Sequence, residues 1–228
     1  MCLAIYRSDS GDIPKQYLEN GFERNPHGAG FAFPDDGKVT IRKGYKSFKN
    51  FYRKYKEIPA DLPMLIHFRF ATRGPKDQSN CHPFRLNKKM AMIHNGTIDR
   101  VLTDNDMSDS WNFAHRILGP IIKKHPNFIY TDHGVRLINL AIGGTNKVAV
   151  MNHKGNAQIF NESKGYWFDG CWYSNKSYEP SGWVPRSERG AGFLNYRTAN
   201  KATYGGRSKK IDKWLQDQQE LELPNHGI

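Results

Sequence analysis

The stretch Met64–Phe70, with the sequence MLIHFRF, is an apolar run that ends in polar and charged side chains. A short apolar run followed by the turn residues Gly74 and Pro75 is typical of a buried strand. Farther along the chain, Met90–Ile93 has the pattern of another short strand and stops at His94-Asn95-Gly96, where glycine permits a positive φ. Both runs therefore predict short strands that end at polar residues.

Strand and helix patterns extend outward from these two runs. On the N-terminal side they predict strands at 3–6, 30–33 and 39–42, helices at 14–22 and 48–55, and a hairpin turn at 35–37. On the C-terminal side they predict helices after residue 108 and near 134–140, and strands at 147–152, 157–160, 166–168 and 171–173. Two strand-rich blocks that flank a pair of helices favour an α+β layered sandwich.

The helix after residue 108 has a more detailed prediction. Ser108 is a good N-cap, and Gly119-Pro120 predicts a kink. The apolar residues that recur at helical spacing are Trp111, Ala114, Ile117, Leu118 and Ile121. This spacing predicts that these five side chains share the apolar face of the helix.

The size and composition of the chain predict one catalytic domain with a short appendage. The chain has 228 residues, of which 38% are hydrophobic, so it can bury a full core. We expect a domain over residues 1–180 and a basic, Gly/Ser-rich tail over 181–228, in which 211–223 has the pattern of a short amphipathic helix. Because no run is long enough to span a membrane and the N-terminus lacks a basic signal region, we expect a soluble, cytoplasmic protein.

Charge and cysteine content limit the kinds of partner and cofactor. The net charge of +12 suggests acidic partners, but no nucleic-acid motif accompanies it, so nucleic acid is a weak expectation. Three cysteines without CxxC spacing indicate reduced thiols, and Cys81, next to His82 on an extended chain, is expected to be structural. Since the histidines lack metal-ligand spacing and no phosphate-binding or dinucleotide motif is present, we expect no metal and no cofactor.

Cys2 is the candidate nucleophile. Its small side chain permits removal of Met1, which leaves an α-amine next to the thiol. An α-amine has a reference pKa of about 7.7–8.0, which suits a general base near neutral pH. From its position alone, however, Cys2 is better interpreted as a small residue buried in a first strand.

Further motifs decide between these two interpretations of Cys2. In chain order they are Asn25–Gly30 (NPHGAG), His67–Gly74 (HFRFATRG), Asn80–Pro83 (NCHP), His94–Ile98 (HNGTI) and Ser108–Ser110 (SDS). This ordered set resembles the class II glutamine amidotransferases, which are N-terminal-nucleophile hydrolases. The resemblance covers about residues 2–175, and its specificity lies in the order rather than in any single motif. It implies a four-layer αββα sandwich of two packed, mostly antiparallel sheets flanked by helices.

The resemblance implies a role for each residue that would act on the amide. Cys2 would attack the side-chain amide of glutamine, with its own free α-amine as the base. The side chain of Asn95 and the backbone N–H of Gly96 would form the oxyanion hole. A competing interpretation of Asn95-Gly96 is an ordinary type I′ hairpin turn, which is compatible with that role.

The resemblance also implies the residues that would recognise glutamine. Arg69 would bind the α-carboxylate, although it is also typical of a surface arginine at a strand end. Asp109 would accept the α-ammonium, although an acid at a helix start is also typical of a cap. Thr72 and His82 would shape the pocket through backbone groups. Gly28 would let the backbone pass close to the nucleophile.

Three functions are compatible with these patterns. We favour a glutaminase that supplies ammonia to a synthase or ligase on a separate chain, docked in part through residues 183–213, because only about fifty residues lie beyond the glutaminase domain. A second is an N-terminal-nucleophile amidohydrolase that acts on a γ-glutamyl compound or a small peptide. A third is a catalytically silent basic scaffold for nucleic acid or protein.

Overall fold

Two antiparallel sheets form the centre of the chain in a computed structural model, which describes residues 2–72, 74–101 and 107–180. All of these residues fall in one compact unit, Met1–Ser181. The predicted tail, its amphipathic helix and the docking segment 183–213 lie outside the described residues. Among the described residues, no helix is long and apolar enough to cross a membrane.

The first sheet has six strands in the order β3-β2-β4-β1-β10-β9. The strands are β1 (Leu3–Arg7), β2 (Ala29–Asp35), β3 (Lys38–Tyr45), β4 (Met64–Phe68), β9 (Tyr166–Phe168) and β10 (Cys171–Tyr173). The second sheet has four strands in the order β5-β6-β7-β8. They are β5 (Phe84–Asn87), β6 (Met90–Asn95), β7 (Lys147–Asn152) and β8 (Ala157–Phe160).

Helices cover the outer faces of both sheets. They are α1 (Lys15–Arg24), α2 (Phe48–Tyr55), α3 (Asp109–Asn112), a π-helical segment (Phe113–Leu118), α4 (Gly119–Lys124), α5 (Asp132–Ile142) and 3₁₀ turns at Phe128–Tyr130 and Glu162–Lys164. The helices α1 and α2 pack on the six-stranded sheet, whereas α4 and α5 contact strands of the four-stranded sheet. The layers therefore run helix, sheet, sheet, helix, and the predicted αββα sandwich is confirmed.

The alternation of residues in β1 shows how one strand serves two cores. Leu3 and Ile5 face the core shared with α1 and α2, whereas Ala4 faces the core between the two sheets. Successive residues of a strand point to opposite faces, so small Ala4 allows the sheets to approach while larger side chains fill the helix side. The same inter-sheet core contains Leu65 of β4 and Ile93 of β6.

The register of β1 places the candidate nucleophile. Leu3 lies opposite Phe68 of β4, so Cys2 lies beside the chain that continues past Phe68. On the other side of β1, Ser174 follows β10 and donates its backbone N–H to Ala4 O at 2.9 Å. Cys2, Arg69 and Ser174 are therefore brought together at one end of the sheet.

The helix after Ser108 differs from its prediction. Ser108 caps it as predicted, because its hydroxyl accepts the Trp111 N–H at 3.2 Å. Just before Gly119-Pro120 the chain widens into a π-helical turn that was not predicted, in which Gly119 N–H bonds to the carbonyl of Ala114 five residues earlier. The extra residue per turn rotates the apolar face.

That rotation changes which side chains are buried. The buried apolar side chains in the helix are Phe113, Ala114, Leu118 and Ile122. Of the five residues predicted to share the apolar face, Ile117 is instead exposed, and Trp111 and Ile121 are half-buried. The predicted face was therefore only partly right.

Two further differences concern the strands. The short β5 (Phe84–Asn87) was not predicted, because its four residues contain polar Arg85 and Asn87 and follow Pro83. The hairpin interpretation of Asn95-Gly96 is wrong, because the strand that pairs with β6 after Gly96 is β7, which begins only at Lys147. Gly96 thus ends β6 without forming a tight turn.

Candidate functional site

A small cavity lies beside Cys2, where the ends of β4 and β6 meet the start of α3. It is lined by Cys2, Arg69, Phe70, Ala71, Thr72, His82, His94, Gly96, Ser108, Asp109 and Ser110. Its volume of about 20 Å³ is enough for about one water molecule. An amino acid would therefore need the surrounding residues to move outward.

The Cys2 sulfur contacts the backbone just beyond β4. Phe70 N–H donates to Sγ at 3.2 Å, and Sγ lies 3.3 Å from Phe70 O. Asn175 Nδ2 donates to the Cys2 carbonyl at 2.7 Å. Burial raises the pKa of the Cys2 thiol, while the Phe70 N–H and the charge of Arg69 oppose that rise. At neutral pH the thiol therefore needs a base to become a nucleophile.

Arg69 is buried in the wall of the cavity and is held by the loop that follows it. It is 3% exposed, and its Nη1 and Nη2 donate to Pro75 O at 2.7 Å and Gly74 O at 3.4 Å. Two backbone carbonyls thus hold the buried guanidinium in place. The predicted surface alternative for Arg69 is therefore wrong.

Asp109 is the first residue of α3 and is also buried. Its Oδ2 accepts the backbone N–H of Ile98 at 2.6 Å, so the carboxylate ties the helix start to the segment after Gly96. The capping side chain of the helix is Ser108, not Asp109. Asp109 nevertheless lies in the first turn, where the helix dipole favours a negative charge.

Asn95 and Gly96, at the end of β6, have different positions relative to the cavity. Asn95 does not line the cavity; its Nδ2 donates to Ser174 Oγ at 2.9 Å. Its buried Oδ1 has no hydrogen-bond partner within the described part of the chain. Gly96 does line the cavity with φ of 139°, and a Cβ there would overlap the side-chain oxygen of Asn146. The position therefore requires glycine on two grounds.

Gly28 and Thr72 have different positions relative to the cavity. Thr72 lines it and is exposed. Gly28 does not line it; its carbonyl accepts the Arg69 N–H at 2.8 Å, and a Cβ at its φ of 141° would lie 2.5 Å from Cys81 Sγ. The close backbone approach predicted for Gly28 is thus to Cys81 rather than to Cys2, because the buried thiol of Cys81 fills the space above it.

Three buried histidines adjoin the cavity. The rings of His67 and His82 stack with centroids 4.0 Å apart, and His67 Nε2 bonds to the carbonyl of His94 at 2.9 Å. His94 bonds through Nδ1 to Ser110 Oγ at 2.7 Å and through Nε2 to Asn146 Oδ1 at 2.9 Å. Because amide and carbonyl oxygens only accept, His67 and His94 both carry the proton on Nε2.

Burial keeps these imidazoles neutral. It lowers the pKa of His67 to about 3, and it lowers the pKa of His82 and of His94 as well. The cavity thus borders a neutral, packed imidazole cluster. Within the described residues, no group of three or more His, Cys, Asp or Glu side chains could hold a metal ion.

Several supporting residues were not predicted from the sequence. Ser174 and Asn146 bond to Asn95 and His94, from which they are 79 and 52 residues distant along the chain. Lys43 and Lys46 on and after β3 bond to carbonyls of the loop between Arg69 and Phe84. None of them belongs to a recognisable motif, so only the register of the strands reveals them.

A curated protein matches part of the chain. The glutamine–fructose-6-phosphate aminotransferase (isomerizing) of Mesorhizobium japonicum is 33% identical over 89 residues, which is 38% of this chain and 14% of that protein. The match thus spans only a small part of the length of that relative. No family model matches the chain.

Solved structures with a similar fold are also found. The glutamine phosphoribosylpyrophosphate amidotransferase of B. subtilis, complexed with ADP and GMP, has a TM-score of 0.49 at 17% identity and covers 76% of this chain and 41% of its own. The allosteric regulatory enzyme of purine biosynthesis has a TM-score of 0.48, with the same identity and coverage. A class II glutamine aminotransferase domain protein of Silicibacter pomeroyi has a TM-score of 0.38 at 17% identity, covering 67% of this chain and 73% of its own.

The αββα sandwich, with a cavity beside a cysteine at the start of β1, defines the class as an N-terminal-nucleophile hydrolase fold. Over the matched 89 residues the chain is similar to a glutamine-using aminotransferase, and its ordered motifs resemble those of the class II glutamine amidotransferases.

Proposed function

We propose that this domain hydrolyses glutamine and that Cys2, freed by removal of Met1, is the nucleophile. One observation carries the proposal: Cys2, the buried cation Arg69 and the buried anion Asp109 line the same cavity. An α-amino acid carries one negative and one positive group, so Arg69 suits its carboxylate and Asp109 suits its ammonium. The thiol is then left for the side-chain amide.

The first chemical step needs a base, because burial raises the pKa of the Cys2 thiol. The α-amine of Cys2 takes the thiol proton as sulfur bonds to the amide carbon. The tetrahedral intermediate collapses with loss of the C–N bond, and the ammonium returns the proton to the departing ammonia. Water then attacks the thioester carbon, which releases glutamate and restores the thiol.

The developing oxyanion needs hydrogen-bond donors. The backbone N–H of Gly96 borders the cavity, and the Asn95 amide has two N–H groups, of which one bonds to Ser174. Outward movement that admits glutamine would bring the Asn95 side chain to the cavity edge. Removal of one such donor typically lowers the rate about 10²–10³-fold.

The ammonia is proposed to serve an acceptor enzyme on a separate chain. The described residues form one αββα sandwich with the cavity beside Cys2. The acceptor would be a synthase or ligase, docked in part through the segment 183–213. Truncation after residue 180 would then abolish partner-dependent transfer and spare basal glutaminase activity.

The direct test measures glutamate and ammonia released from glutamine by the Met1-processed protein and by Cys2→Ala. We expect release only from the protein with Cys2. The matched control is Cys171→Ala, which removes another thiol from β10 outside the cavity lining and should keep activity. Equal release by Cys2→Ala and by the unmodified protein would contradict the proposal.

Recognition of the amino acid is tested separately. Arg69→Gln and Asp109→Asn should raise the KM for glutamine by more than about tenfold, because each removes a charge that faces an oppositely charged substrate group. An unchanged KM in Arg69→Gln, together with activity on other amides, would instead indicate an amidohydrolase that does not read the α-carboxylate.

A further inference from the structure

A second, larger depression lies on the open side of the sandwich, between the edge strands of the two sheets. We call it the edge groove. It is lined by Ile41, Arg42, Lys43 and Tyr45 of β3, by Gln78, Ser79 and Pro83 of the preceding loop, by Phe84 and Arg85 of β5, and by Trp111 and His115. Its volume of about 640 Å³ falls in the range of small-molecule sites, about 300–1,000 Å³.

The edge groove is positively charged. Three of its lining residues are Arg42, Lys43 and Arg85, and none is Asp or Glu. Arg42 pairs at the rim with Glu57 at 3.0 Å, so its charge is partly balanced. Arg85 gives one N–H to Val39 O at 2.9 Å, and a guanidinium has five such donors. The groove therefore favours an anion, with Arg85 able to bind a phosphate through two N–H groups.

The other wall of the groove is aromatic. The rings of Trp111 and His115 stack with centroids 4.4 Å apart, and Lys43 Nζ lies 4.9 Å from the centre of the Phe84 ring. Trp111 remains half-buried rather than buried, although it belongs to a helix that packs on β5. An aromatic wall beside cations suits a ligand that is both planar and anionic.

The backbone of the groove is poorly suited to an added strand from a partner protein. Along the outer edge of β3, Val39 donates its N–H to Lys88 O at 3.1 Å and receives Arg85 on its carbonyl. The Lys43 carbonyl receives Gln78 Nε2 at 3.4 Å. Because the Lys88 carbonyl and the side chains of Arg85 and Gln78 already occupy these edge groups, strand pairing is disfavoured and the side-chain surface remains for a compact ligand.

We propose that the edge groove is a binding site for a mononucleotide, with its base against the accessible rings of Trp111 and His115 and its phosphate on Arg85 and Lys43. The groove adjoins the glutamine cavity from behind: His82 lines the cavity and Pro83 the groove, and Ser110 lines the cavity and Trp111 the groove. A bound nucleotide would thus contact the same loop and helix that build the glutamine cavity. The binding site does not depend on the proposed glutaminase activity.

The test is calorimetric titration of the full-length protein with AMP, GMP, CMP and UMP, each separately. We expect at least one of them to bind with a Kd below about 1 mM. Adenosine and inorganic phosphate probe the two halves of the ligand, and each should bind at least about tenfold more weakly than the nucleotide, since each keeps one set of contacts.

Substitutions test whether the nucleotide binds in the edge groove. Arg85→Gln should weaken the nucleotide about tenfold, because it removes a charged, two-donor phosphate contact. The matched control is Arg53→Gln, the same change at an exposed arginine of α2 outside the groove, which should leave the Kd unchanged. Trp111→Leu should also weaken binding, and its circular dichroism spectrum checks that the fold is kept.

Four results would overturn the proposal. The first is that none of the four nucleotides binds, and the second is that the Arg85→Gln and Arg53→Gln variants bind the nucleotide equally well. The third is that inorganic phosphate binds as tightly as the nucleotide. The fourth is that a single-stranded oligonucleotide binds tightly and mononucleotides do not displace it. The third would reduce the groove to a simple anion site, and the fourth would assign it to nucleic acid.

Discussion

At the scale of single residues, Ser174 joins the nucleophile strand to the proposed oxyanion residue. Its Oγ accepts the backbone N–H of Ala4 at 2.9 Å and Nδ2 of Asn95 at 2.9 Å. Ala4 is two residues from Cys2, so one hydroxyl fixes the spacing between the thiol and the amide. We therefore propose that Ser174 is a positioning residue that acts through Asn95.

Ser174→Ala should lower kcat about tenfold or more and leave the KM for glutamine nearly unchanged, because Asn95 would serve mainly the transition state. The loss of Oγ also leaves two buried N–H groups without this acceptor, which costs about 1–3 kcal/mol of stability. The measurement is steady-state glutaminase kinetics together with Tm. Ser177→Ala is the control, since the buried Ser177 Oγ has no hydrogen-bond partner among the described residues. A rise in KM without a fall in kcat would contradict this role.

At the scale of elements, two lysines from β3 and its end hold the loop that follows Arg69. Lys43 Nζ donates to Cys81 O at 2.8 Å and to Ser79 O at 3.4 Å. Lys46 Nζ donates to His27 O and Lys76 O, both at 2.8 Å. The same loop supplies the carbonyls that hold Arg69, so β3 supports the cavity beside Cys2 from outside.

Lys46→Met should raise the KM for glutamine several-fold with little change in kcat, because it removes two charge-assisted bonds to the loop and leaves the chemistry alone. Kinetics at constant ionic strength measure it. The control is Lys49→Met, which makes the same change in charge and length. Lys49 is exposed in α2, and its side chain makes no hydrogen bond among those of the described residues. Equal KM values for the two variants would show that the loop needs no such support.

The elements also show how far the sequence could predict the structure. The bounds of β7, β8, β9 and β10 were predicted to the residue, because alternating apolar residues and turn residues mark both of their ends. The π-helical turn at Phe113–Leu118, which contacts β5, could not be predicted, because no local signal in the sequence marks it.

The candidate site likewise contains residues that the sequence could predict and residues that it could not. Cys2, Arg69 and Asp109 were predicted because they belong to motifs in a recognisable order, and the structure gathers them at one cavity. Ser174 and Asn146 were missed because their partners are distant in the chain and are met only through the strand register. Their roles in catalysis stay predictions.

At the scale of the whole molecule, the buried histidines link stability to pH. Burial places the pKa of His67, of His82 and of His94 below the ordinary value of 6.5. The unfolded chain therefore binds more protons than the folded chain below pH 6.5, so this contribution to stability is complete above pH 6.5 and is lost as the pH falls toward the folded values.

The free energy of unfolding should consequently decrease between pH 7 and pH 5, with each buried histidine contributing up to about 1.4 kcal/mol per pH unit below 6.5. Urea unfolding at several pH values measures it. His67→Gln keeps a donor for His94 O and should make the free energy of unfolding depend less steeply on pH. The control is His133→Gln, at an exposed position of α5, which should leave this pH dependence unchanged. Stability that stays constant or rises on acidification to pH 5 would contradict the neutral cluster.

The central claim is that Cys2 is a nucleophile directed at glutamine. The measurement that tests it most directly is the intact mass of the Met1-processed protein after treatment with 6-diazo-5-oxo-norleucine, followed by peptide mapping. We predict one adduct, located on Cys2, which excess glutamine prevents and which Arg69→Gln reduces. Absence of any adduct, or an adduct on Cys81 or Cys171 that glutamine does not prevent, would contradict the claim.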